Sequence, residues 1–121
     1  MTLNPQSELR DVYGISDADK ALIKAFMQGA VYCWVKNRQG DWFAVRDLMG
    51  GMNADWNGTP LQVLFEKHID VGKDEDQAFT AAGIDLGWLV KTILDEDSRT
   101  FEVVTEEVNK YRCLLPGPEA G

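Results

Sequence analysis

The chain has 121 residues, 45% of them apolar, and carries 20 acids against 12 bases for a net charge of −8. Chains of about 100–200 residues default to one domain, and this apolar share excludes the disordered and collagen-like classes. No apolar run approaches the roughly 20 residues of a membrane span. The start lacks the basic and apolar regions of a signal peptide, and Cys33 and Cys113 are too few for a disulfide framework, so a cytoplasmic protein with reduced thiols is expected.

Residues 1–15 read as a leader with little regular structure, punctuated by Pro5 and Gly14. Ser16 then offers a helix cap, and Asp17 and Asp19 suit the positive end of the helix dipole. Apolar residues at 22, 23, 26, 27, 30, 31, 34 and 35 repeat with helical spacing and predict a helix over 17–37 with a wide apolar stripe. Gly29 inside it is expected to mark a close backbone crossing, and Arg38 and Gly40 supply the stop. Residues 41–45 are aromatic and β-branched and fit a short strand, with Trp42 and Phe43 on opposite faces. A helical turn over 45–49 follows, ended by Gly50-Gly51.

Residues 50–59 are dense in turn formers, and Thr59-Pro60 opens a helix that runs to about 69 and is closed by Gly72. Lys73-Asp74-Glu75-Asp76 makes an acid-rich first turn for a further helix, which Gly83 should end. Asp85 should cap the next helix, with Leu86, Leu89, Val90 and Ile93 facing inward. Residues 100–104 and 111–115 are β-prone and flank a polar stretch, which predicts a hairpin. Residues 116–121 are expected to be a loose tail, leaving 16–115 as a single globular domain. The fold class is α+β, mostly helical and compact, with a C-terminal β-hairpin.

The run Gln77 to Lys91, with Gly83 at its centre, resembles a helix-turn-helix unit. Helix, strand, helix, helix and hairpin in that order resemble a winged helix with residues 46–72 inserted, which implies a DNA-binding transcriptional regulator. Charge opposes DNA reading by that unit. Its second helix opens Asp85-Leu86-Gly87-Trp88, its one cation is Lys91, and residues 70–97 hold eight acids against two lysines. DNA affinity rests largely on cations that neutralise phosphates. Arg99, Lys110, Arg112 and the basic stretch 20–46 are the remaining candidates for such contacts.

No catalytic, cofactor or metal motif stands out. His68 is the only histidine, and the apolar neighbourhood of Cys33 offers nothing to activate its thiol. The acids at 70–76 and 95–97 lack the calcium-loop pattern, and no Cys-x-x-Cys pair is present for zinc. Trp56, in a polar loop, either lids the core or anchors a partner, and Trp88 either extends the core or faces outward. The reading is therefore a non-catalytic interaction or regulatory protein with no cofactor. It would bind a protein partner with a basic surface through Asp74, Glu75, Asp76, Asp85, Asp95 and Asp97, with Trp56 and Trp88 as anchors. The alternatives are the DNA-binding regulator and an acidic DNA mimic that inhibits a nucleic-acid enzyme.

Overall fold

The computed structural model describes residues 3–5, 8–49 and 55–114. The expected glycine stop at 50–51 and the tail at 116–121 lie outside the described residues. Helix α1 spans Asp17–Asn37. Ser16 Oγ accepts the Asp19 N–H at 3.0 Å, the capping bond that the sequence predicts. Its buried stripe is narrower than the periodicity suggests. Ile23, Met27 and Val31 are fully buried, whereas Leu22, Phe26 and Tyr32 are exposed. Gly29 is no crossing point either, because a Cβ there would meet nothing within 4 Å.

After Gly40 the chain turns back. Phe43 exchanges backbone bonds with Tyr111 at 2.8 Å in both directions, so the predicted strand is a single bridge. Helix α2 (Val45–Leu48) follows, then, after the turn around Trp56–Thr59, α3 (Gln62–Asp70). Gly72, at φ +101°, makes the left-handed turn into α4 (Glu75–Glu96). Asp74 and Gln77 cap α4 reciprocally.

Helix α4 runs unbroken through Gly83, which corrects the expectation of two helices with a corner there. Gly83 costs the helix about 1 kcal/mol relative to alanine. Against that, Ala78, Ala82, Leu86, Leu89, Val90, Ile93 and Leu94 keep one buried register across it. Each large apolar side chain so buried contributes about 1.5–3 kcal/mol, so tertiary packing outweighs the local break. Asp85 therefore sits in mid-helix and caps nothing. The two helices before the hairpin are α3 and α4, and they turn at Gly72.

Strands β2 (Phe101–Thr105) and β3 (Asn109–Cys113) form the predicted antiparallel hairpin, with Phe101 opposite Cys113 and Val103 opposite Tyr111. The leader expected to lack structure contributes a third strand. Leu3–Asn4 (β1) pairs parallel with Phe101 and Glu102, giving the order β1-β2-β3. Two residues are too short to carry a strand pattern, so no periodicity announced them. The core lies between the sheet and the helices. Phe43 packs against Trp34, Phe101 and Tyr111, with ring centroids 5.7, 6.4 and 5.9 Å away. No helix among the described residues is long and apolar enough to cross a membrane.

Candidate functional site

Helix α4 presents two different faces. One is the buried register just described. The other carries Thr80, Gly83, Ile84, Gly87, Trp88 and Lys91, spaced at three and four residues along one side. This second side forms the floor of a cavity of about 450 Å³. Ala44, Val45, Arg46 and Met49 at α2 wall it, together with Trp56 and the β3 residues Asn109 and Tyr111. Such a volume lies within the roughly 300–1,000 Å³ range of small-molecule sites.

Gly83 and Gly87 open that floor. A Cβ added at either would meet nothing within 4 Å, so no neighbour among the described residues requires a glycine there. Ile84 beside them is 59% exposed, an apolar side chain that the fold leaves without cover.

Trp56 is 6% exposed and stacks on Phe79 with centroids 5.2 Å apart. Of the two expectations for it, the lid is the one observed, and its position also makes it a wall of the cavity. Trp88 is half-buried and sits between cations. The Arg10 guanidinium lies 5.1 Å from its ring centroid and the Lys91 ammonium 5.2 Å. Lys91 itself is only 7% exposed. Burial draws its ammonium below the usual lysine range, with the charge of Glu8 acting in the opposite sense. Tyr111 is buried enough that its phenol is pushed up to about 12, the Asn109 side chain opposing, so it stands as a neutral hydroxyl at physiological pH.

The acids expected to form a partner surface do not share one face. Asp74, Glu75 and Asp76 are exposed at the N-terminal end of α4. Asp95 and Asp97 lie at its other end, about 33 Å away at 1.5 Å per residue, and both are buried. Asp97 bonds Arg99 at 2.7 and 2.9 Å and receives the Gln28 amide at 2.7 Å. Asp85 is half-buried between α4 and α3, with His68 Nε2 and Lys67 Nζ both 2.8 Å from its Oδ2. Lys67 also donates to the Tyr13 carbonyl, so this cluster ties the N-terminal segment to both helices.

Of the cations proposed for phosphate contact, Arg99 pairs with Asp97, Arg112 with Glu102, Lys110 with Glu106 and, in the basic stretch 20–46, Lys24 with Glu96. Cys33 is exposed on α1 and Cys113 is buried in β3, and both are free thiols. Burial raises the Cys113 thiol, the Arg99 charge opposing. Among the described residues no group of three metal-ligating side chains converges.

Sequence reasoning named Trp56, Trp88 and Lys91 but did not bring them together. The signal available was Gly83-x-x-x-Gly87, which the helix-turn-helix resemblance absorbed as a turn. Comparison of the chain with protein-family models, with curated proteins and with solved structures gave no match.

Proposed function

We propose that the chain is a non-catalytic binding or regulatory protein whose recognition element is the α4 cavity. The observation that carries this reading is the pair of glycines on the cavity floor. Two glycines one turn apart in a helix cost about 1 kcal/mol each relative to alanine. Among the described residues neither meets a neighbour that would need it, since a Cβ at either would find nothing within 4 Å. Their effect is to hold clear the floor of a tryptophan-walled cavity, the shape in which apolar ligands and partner side chains are taken up. The only histidine is engaged with Asp85, which leaves binding as the better reading of the site.

A fragment screen by NMR on the labelled protein tests it. Hits should shift the Ile84 amide and the Trp88 indole N–H, and a Gly87→Leu variant that keeps its helical signal should lose them. Hits that cluster elsewhere, or binding unchanged by Gly87→Leu, would remove the reading.

The winged-helix regulator is a second reading, favoured by one observation. Phe43 bridges to Tyr111 on the free edge of the hairpin, after α1 and before α3 and α4, which is the strand placement such a fold uses. The pairing of Arg99, Lys110 and Arg112 with carboxylates leaves it the weaker one. Anisotropy of labelled duplex DNA at low salt decides it, and steep salt-dependent binding would restore it. A partner with a basic surface would have to dock at the exposed end of α4. Reversing Asp74, Glu75 and Asp76 to lysine should abolish capture of such a partner, and undiminished capture would end that version.

A further inference from the structure

The charge inside the cavity runs against the charge of the chain. Acids outnumber bases 20 to 12 overall, yet the charged side chains among the described lining residues are Arg46 and Lys91, both cations. Lys91 is the one that matters, because it is more than nine-tenths buried. No carboxylate among the described residues lies within 4.0 Å of its ammonium. Glu8 is the acid whose field reaches it, and Glu8 is already bonded to Arg10 at 3.0 Å. A lysine so largely enclosed, its charge met only at a distance, favours an anion beside it. Its nearest aromatic contact is the Trp88 ring, which is also a cavity wall.

From this we infer, resting on the cavity reading above, that the ligand is a small amphipathic carboxylate. Its apolar body lies against Trp56, Ile84 and Trp88 over the two glycines, and its anionic head reaches the Lys91 ammonium. A straight-chain and an aromatic acid share this chemistry. A carboxylate at Lys91 gains a charge-assisted bond that an alcohol of the same shape cannot make.

The test is calorimetric titration of the full chain with octanoate and 1-octanol, and with 2-naphthoate and 2-naphthalenemethanol. At least one acid should bind about tenfold more tightly than its alcohol, a difference of about 1.4 kcal/mol. Which acid does so distinguishes an aliphatic from an aromatic source. Lys91→Met should erase the preference for the acid while leaving alcohol binding in place, and Lys91→Arg should retain it. The wild-type comparison stands on its own if Lys91→Met fails to fold. Alcohols that bind as tightly as their acids would overturn the anionic ligand and leave the cavity reading intact. Binding of none of the four, with no fragment shifting Trp88, would overturn both.

Discussion

Asp97 sits at the C-terminal end of α4 with its carboxylate held by Arg99 and Gln28. Burial by itself would raise its pKa. The side-chain and backbone bonds from Arg99, the Gln28 amide and the Arg99 charge together outweigh burial and hold it below the usual carboxylate range. A carboxyl lowered in the native state stabilises the fold above its unfolded value of about 3.9. That contribution fades as pH falls through the lower native value. Asp97→Ala should therefore cost about 2 kcal/mol near pH 7, the scale of hydrogen bonds to a charged group. In urea melts at stepped pH, the gap between variant and wild type should narrow as pH falls below the unfolded carboxylate value of about 3.9, and a gap independent of pH would contradict the assignment. The run Asp95-Glu96-Asp97 was visible in the sequence as charge. The burial of Asp97 was not, because its Gln28 contact joins residues 69 positions apart. Arg99, two positions on, was the one local clue.

Helix α4 carries the clearest disagreement between local signal and final structure. Its start was legible from Asp74 and the acids after it, because a cap is a local device. Its length was not, because Gly83 is a strong local punctuator and the opposing force is burial against elements far away in sequence. The same physics gives a prediction with two readouts. Gly83→Ala and Gly87→Ala place a methyl where nothing stands within 4 Å, so each should stabilise the protein by about 0.5–1 kcal/mol through helix propensity. Thermal melts should rise while ligand affinity in the cavity falls or holds. A fall in melting temperature would mean that these positions are packed. Stabilisation at the expense of binding is the pattern expected where a floor is kept clear for a ligand.

Across the whole molecule, one core joins the helices to the sheet, and the mostly helical α+β class with a C-terminal hairpin was readable from periodicity and turn residues. Joining them takes long-range contacts such as Phe43 with Phe101 and Tyr111, which no window of sequence contains. Leu64 is the one fully buried residue of α3. Leu64→Ala should cost about 2–5 kcal/mol, lowering the urea midpoint with the slope unchanged. Far-ultraviolet signal and tryptophan fluorescence should report one coincident transition. Separated transitions would indicate that α3 and the sheet melt as different units.

The parallel pairing of Leu3 and Asn4 with Phe101 and Glu102 also sets an order of events. During synthesis β1 emerges before its partner, and it has no neighbour until Phe101 and Glu102 have been made. Helices α1 to α4, built from local contacts, can form and begin to pack during that wait, since contacts distant in sequence form slowly. The edge of β2 therefore stays open to pairing with other strands until β1 arrives. In the finished protein that short strand is the piece that closes the edge.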